Sequence, residues 1–324
     1  MVNTLFTYKN HFHFLKINFM RKLLFLTMGL TQVGLLPLLA QSTETALPTH
    51  TDNKTLLWEI SGGGLTQPSY FLGTMHLLCP EDAFISPTLK AVLDRVKSVY
   101  LEVDMDDMMQ MMGAMNSMMM LHDTTLSQLL NEEEIEQVKA YFSEKMPLPF
   151  MMLQRYKPML LQAMVAQQMM PCDAGSGTES LLMAEAKKRK ISIEGLETLS
   201  YQAGLFDSIP YSEQAKALVS SLNEKDDQSE MAAEMIRSFN EQDLEKMAAL
   251  TLQEDGGIAE HLDLLLYNRN RNWIKEFKKI APKGTYLFAV GAGHLPGEMG
   301  VLELLKKAGY QLRPLVNKKP EITI

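Results

Sequence analysis

Cysteine is nearly absent: the 324 residues hold two, Cys79 and Cys172. Two cannot build a disulfide framework or a paired CxxC zinc site, so a single bridge and two buried thiols stay open as alternatives. Histidine is scarce too, at seven. The HExxH helix of zinc peptidases, the GxSxG turn of serine hydrolases and the glycine-rich phosphate loop are all missing. The common hydrolase and nucleotide-hydrolase templates therefore give no lead. There is no surplus of positive charge either. With 31 bases against 39 acids the formal charge is −8, a surface that repels phosphate backbones and excludes nucleic acid as a partner. Solenoid-type repeats are lacking as well.

What is present begins with an N-terminal address. Met20-Arg21-Lys22 opens a positive segment, and "LLFLTMGLTQVGLLPLLA" supplies an apolar run ending in the small residue Ala40. Thr27, Thr31, Gln32 and Pro37 make it too short and interrupted for a membrane span. Residues 1–40 therefore read as a cleavable signal peptide with its start near Met20, and the lack of cysteine argues against a lipid anchor. Cleavage removes four bases and no acid, so the mature chain would carry −12. Residues 41–54 are polar and aperiodic and read as a flexible leader.

Hydrophobic periodicity organises the rest. "TLLWEI" and "PSYFLGT" are strand-like, with "SGGGLTQ" between them as a hairpin loop. Ser86 and Pro87 mark a helix start, and Leu89, Val92, Leu93 and Val96 continue its apolar face. "SVYLEVD", "ISIEG", "TYLFAVGA" and "YQLRPL" are further strands, separated by helical patterns. Strands alternating with helices imply an α/β fold with a central mixed, largely parallel sheet. The organisation read from this is one domain over 55–318, with helical insertions or caps over about 105–170 and 211–280.

Four of these strands end in reactive residues: "GTMH" in His76, "YLEVD" in Glu102 and Asp104, "EGLE" in Glu194 and Glu197, and "GAGH" in His294. With 19 Gly and 7 His, chance yields about 0.4 G-x-x-H matches, so two at strand ends call for an explanation. In open α/β sheets ligands bind beyond the carboxyl ends of the strands. Gly73, Gly291 and Gly293 would give the chain the freedom to turn each imidazole back over that edge. Two imidazoles and a carboxylate suit a divalent ion such as Zn, Mn or Co, and a further carboxylate could serve as general base. The plainer alternative is a pair of structural histidines, with Glu102 paired to Arg271 and Gly291-Ala-Gly293 a tight turn.

The segments "LLWEISGGGLTQPSYFLGTMHLL", "VYLEVD", "ISIEGLET", "YNRNRNW" and "AVGAGHLPGEMGVLELLKKAGY" together resemble the TraB/GumN family in content and order. Its relatives include the Tiki proteases and the pheromone-shutdown protein PrgY. The resemblance runs from about Leu56 to Leu315. It implies an extracytoplasmic α/β domain whose metal-dependent hydrolase centre falls on His76, Glu102 and His294. Arg271 and Asn272 of the R-N element are implied as substrate-orienting supports, with Arg271 also steadying negative charge in the transition state.

One stretch stands apart. "MDDMMQMMGAMNSMMM", Met105 to Met120, holds nine of the 25 methionines. Met105, Met108, Met109, Met112 and Met115 or Met119 keep helical spacing and read as an amphipathic helix. Methionine also suits a lid over apolar substrates, and thioethers bind soft ions such as Cu(I), though no His or Cys stands among these. The acidic runs "NEEEIEQVK" and "SLNEKDDQSEMAAEM" read as solvated helix faces.

The sequence thus predicts a periplasmic or secreted metal-dependent hydrolase acting on a peptide or another small extracytoplasmic substrate, with no stable membrane anchor after cleavage. The competing class is a non-catalytic protein that sequesters such a ligand. The mature protein is expected to begin near Gln41. N-terminal sequencing that finds residues 20–40 retained on a cytoplasmic protein contradicts this.

Overall fold

Two neighbouring apolar runs set the centre of the sheet. Strands β1 (Leu57–Gly62) and β2 (Ser69–Thr74) pair antiparallel. Their connection needs glycine: Gly62, Gly63 and Gly64 have φ of +73°, +55° and +85°, and a Cβ on Gly63 would lie 2.5 Å from the Tyr310 ring. The remaining strands are β3 (Ser98–Val103), β4 (Ser192–Glu197), β5 (Tyr286–Gly291) and β6 (Tyr310–Pro314). They form one sheet in the order β4-β3-β5-β2-β1-β6. Strands β4, β3, β5 and β2 are mutually parallel, and β1 runs against both β2 and β6. The protein is α/β with a mixed, mostly parallel sheet, as its strand pattern predicts. The structure, a computed structural model, describes residues 46–146, 149–170, 172, 177–223, 225–253 and 259–320.

Helices cover the sheet where their apolar stripes fit it. In the helix Pro87–Leu93 the Ser86 hydroxyl accepts from the Leu89 N–H at 3.0 Å, and Leu89, Val92 and Leu93 are buried. The helix Asn268–Ile280 turns Trp273, Ile274 and Phe277 inward. Phe288 of β5 lies 5.2 Å from Phe277, 5.1 Å from Phe71 and 5.2 Å from Tyr100 between ring centres. Such aromatic contacts add about 0.5–1.5 kcal/mol per pair beyond burial. Among the described residues, no helix is long and apolar enough to cross a membrane.

The helical insertions divide differently from the sequence expectation. Residues between Met120 and Val165 and those of the helix Tyr211–Asn223 share a second hydrophobic core, built on Leu126, Val138, Phe142, Leu161 and Leu218. The later helices instead put Ile236, Phe239, Leu244 and Met247 into the sheet core. Within 211–280 the first helix packs on the apolar face of the earlier insertion, and later residues pack on the sheet. The methionine stripe also differs. Met108, Met109 and Met112 stand exposed on the short helix Met108–Ala114, whose buried residue is Ala114.

At the N-terminal end, the expected signal peptide, 1–40, lies outside the described residues, as does the start of the leader. Residues 46–54 are docked against the chain end. Leu47 is buried, His50 N–H donates to the Pro314 carbonyl, and Val316 N–H donates to the Pro48 carbonyl. Leu47 supplies an apolar anchor, and the outer edge of β6 and its extension offers open backbone partners, Thr49 bridging Leu315. That combination orders a stretch whose composition reads as flexible.

Cys79 and Cys172 are joined in a disulfide that spans 93 residues. Closing so long a loop lowers the entropy of the unfolded chain, an effect of about 2–4 kcal/mol in typical cases. Cys79→Ser should lose that amount in a urea titration, and dithiothreitol should weaken the native protein by the same step while leaving the variant unchanged. A native midpoint indifferent to reductant overturns the expectation.

Candidate active site at the strand ends

The four parallel strands bring their carboxyl ends to one edge, and buried charge collects there. Glu102, near the end of β3, accepts the Gly291 N–H at 2.7 Å on Oε1. Its Oε2 accepts from Arg269 Nη2 at 2.5 Å. The same guanidinium donates through Nε to Glu197, the last residue of β4, at 2.9 Å. Its Nη1 reaches the Leu265 carbonyl at 3.1 Å and His294 Nε2 at 3.2 Å. Gln202 donates to Oε2 of Glu102 at 3.2 Å and to Oε2 of Glu197 at 3.1 Å. The Trp273 ring closes one side, 4.4 Å from the His294 ring and 4.8 Å from the Arg269 guanidinium carbon.

Each imidazole is oriented by an acceptor on Nδ1. His294 Nδ1 donates to Asn270 Oδ1 at 2.6 Å, since the Asn270 amide nitrogen donates to the carbonyls of His294 and Met299. The Nε2 lone pair of His294 is thereby fixed toward Arg269 and toward Glu102 Oε1, 3.8 Å away. His76 pairs through Nδ1 with Glu179 Oε1 at 2.8 Å. Its side chain is 66% exposed, whereas that of His294 is 6% exposed. His76 is therefore open to solvent and His294 is enclosed.

These settings separate the titrations. Burial alone would raise Glu102, but the charges of His294, Arg269 and His76 and the Gly291 N–H bring it down to about 2. Burial takes His294 down to about 3, against the pull of Glu102. With His294 neutral at ordinary pH, Arg269, the protonated His76 and the Gly291 amide are the groups that keep Glu102 ionised there. The Glu179 hydrogen bond, with the charges of Glu179 and Glu102, lifts His76 to about 9.

Several residues expected at the site lie elsewhere. Arg271 and Asn272 stand outside the cluster: Arg271 points to Asn268 and Asp263 at the surface, and Asn272 accepts from Lys275. Arg269 and Asn270 take their places, because residues 269, 270, 273, 274 and 277 share the buried face of the helix. The i, i+4, i+8 spacing of Arg269 to Trp273 and Phe277 is the sequence signal that fixes this phase. Glu102 pairs with Arg269, not Arg271. Glu197 belongs to the cluster, whereas Glu194 is exposed and Asp104 caps a turn through the Asp106 N–H. Glu179 and Gln202 carry no sequence signal that singles them out.

The glycines matter for space and not for φ. None of Gly73, Gly291 and Gly293 is among the positive-φ residues. A Cβ on Gly291 would sit 3.2 Å from Glu102 Oε1, and one on Gly73 would press on Leu295 and Ala292 at 3.0 and 3.2 Å. Gly293 meets nothing within 4 Å.

A model of the TraB/PrgY/gumN family matches residues 56–314, which contain every group of this cluster. The chain belongs to the TraB/PrgY/gumN family. Within that family assignment, a curated relative adds a name: a "Metalloprotease TIKI homolog" from Amphimedon queenslandica is 38% identical over 77 residues. That match covers 22% of this TraB/PrgY/gumN chain and 15% of the relative, so the chain spans well under two thirds of its relative's length. No solved structure matches.

The donor chemistry of the site suits a metal. Both imidazoles engage Nδ1 with an acceptor, the arrangement by which outer partners orient metal-ligating histidines. His294 offers an unprotonated Nε2, His76 would offer its own once an ion displaces the proton there, and Glu102 adds an anionic oxygen. Arg269 stands between Glu102 and His294, hydrogen-bonded to both, and these two with His76 do not all come within 4.8 Å of one another. Among the described residues, only Glu213, Glu260 and His261 bring three ligand-type atoms within 4.8 Å of one another, at the surface.

A neutral buried His294 has a consequence for stability. Its proton affinity is lower folded than unfolded, so stability is present above its ordinary pKa of 6.5 and is lost as pH falls from there toward 3. The slope contributed by one such proton is at most about 1.4 kcal/mol per pH unit. His294→Gln should flatten the decline between pH 6.5 and 5 in urea titrations. Parallel declines in the two proteins would show that His294 is not the group responsible.

Proposed function

We propose that this protein is a metal-dependent hydrolase acting outside the cytoplasm, with peptides as its substrate class. The observation that carries the reading is the convergence of Glu102, Arg269 and His294, buried and with His294 Nε2 unprotonated, at the carboxyl ends of parallel strands. Family membership and the name of the TIKI homologue support hydrolysis as the reaction class. The extracytoplasmic setting rests on the signal-like segment Met20–Ala40. His294, Glu102 and His76 would hold the ion, which would supply Lewis acidity toward a polarised carbonyl. Its identity among Zn, Mn and Co is open to metal analysis.

The chain's own groups divide the remaining work. Arg269 keeps a positive charge in a water-poor site, where it steadies negative charge that develops on a substrate oxygen. Glu197 and Gln202 hold the guanidinium and Glu102 in register, so little reorganisation is needed as charge builds. His76 is oriented by Glu179, which holds its Nδ1 at 2.8 Å and leaves Nε2 for the ion it would help to hold. Asn270 keeps the His294 ring from rotating.

The test compares metal content, circular dichroism and cleavage of a peptide library in variants. His294→Ala should lose most bound metal and all turnover. Glu102→Gln should lose turnover whether or not metal is retained, since it removes the charge that Arg269 faces. The two arginines separate the centre from the surface: Arg269→Lys should cut kcat/KM by at least 100-fold, and Arg271→Lys by less than threefold. Equal effects of the two, or full activity in His294→Ala, would remove the strand-end cluster from the chemistry.

A further inference from the structure

The methionine helix is unexplained by the centre just described. Every large apolar residue from Met105 to Met120 is methionine; the stretch has no Leu, Ile, Val or Phe. Leucine matches methionine in volume and helix propensity, so what an all-methionine face adds is side-chain adaptability and sulfur. The composition selects thioethers.

The fold then presents them to solvent. Asp107 caps the helix Met108–Ala114, accepting from the N–H groups of Met109 and Gln110 at 3.0 and 3.1 Å. The helical path continues through Met115–Met118. Ala114 faces inward, while Met108, Met112 and Met115 are 68%, 65% and 57% exposed. These three follow i, i+4, i+7 spacing, so successive Cβ atoms lie about 5–6 Å apart on one face. Methionine has three free side-chain torsions, enough for neighbouring sulfurs on that face to turn toward one ion.

We propose that Met108, Met112 and Met115 form a binding site for a soft monovalent cation, Cu(I), with three neutral thioether ligands. The site shares no residue with the strand-end cluster, so it stands whether or not that cluster is catalytic. Neutral ligands do not compete with protons, and binding there should be insensitive to pH across the range in which histidine sites fail. Hard divalent ions should ignore it.

The test uses the full-length protein under anaerobic conditions, with Cu(I) kept reduced by ascorbate and ferrozine as competing chelator. Wild type should withdraw one Cu(I) per chain, equally at pH 5 and pH 7. The variant Met108→Leu/Met112→Leu/Met115→Leu keeps apolar area and helix and should bind at least tenfold more weakly, with unchanged circular dichroism. The variant His76→Ala/His294→Ala should bind as wild type does. Retention of Cu(I) by the triple leucine variant overturns the site, and so does its loss from the double histidine variant. Failure of wild type to compete overturns it as well, and equal uptake of the apolar dye bis-ANS by wild type and the leucine variant then assigns the face to apolar docking.

Discussion

The guanidinium of Arg269 is the interaction on which the strand-end architecture depends. Burying one cation costs several kcal/mol unless its partners are in place, and here Glu102 and Glu197 both meet it. Two carboxylates against one guanidinium leave the cluster with one net negative charge. The Gly291 N–H and the Gln202 amide offset part of it. His294 must then stay neutral, because burial removes the solvation that an imidazolium would need. A surplus negative charge beside a neutral imidazole lone pair is an environment that attracts a cation. The chemical suitability of the site for a metal and the presence of Arg269 in its middle have this one electrostatic origin.

Much of the scaffold exists to keep those charges where they are. Parallel pairing of β3 with β4 and β5 brings Glu102 within reach of both Glu197 and the Gly291 amide. Glycine at 291 leaves room for the Glu102 carboxylate, and glycine at 73 leaves room for the side chains of Leu295, Leu56 and Ala292. The helix Asn268–Ile280 lays Trp273 and Phe277 on the sheet, and its first turn carries Arg269 and Asn270 to the cluster. Apolar packing thus fixes the phase of the helix, and the phase decides which arginine is buried.

That dependence also explains what the amino-acid order discloses. Strands with runs such as "YLFAV" and the two G-x-x-H turns are local features, and their periodicity and spacing suffice to place His76, Glu102 and His294 at strand ends. The choice between Arg269 and Arg271 is a question of two residues, about 200° of helical rotation, and is settled by the tertiary contact of Trp273. Glu179 opens the helix Thr178–Arg189, about 100 positions from His76, and Gln202 lies about 100 positions from Glu102, so no short-range pattern marks either contact. Pairing of Cys79 with Cys172 is likewise a fact of distance. Residues 46–54 look mobile by composition because the partner that orders them, the strand ending at Pro314, lies some 260 positions away.

The second hydrophobic core is not remote from the charged cluster, and the link is one short helix. Leu199–Leu205 follows β4 directly, and its Gln202 bridges Glu102 and Glu197. The next residue, Ala203, gives its carbonyl to Lys157 Nζ at 2.8 Å, and Lys157 is fully buried with Asp207 as its counter-ion at 2.7 Å. Lys157 begins the helix Pro158–Gln168, whose Leu161 and Val165 belong to the second core. A buried ammonium cannot slide along its partners without stranding its own charge or theirs, so this contact fixes a distance more firmly than apolar packing would. The helical layer therefore does more than cover the sheet. It sets the position of the amide that holds two carboxylates beside Arg269, and the second core becomes part of what defines the centre.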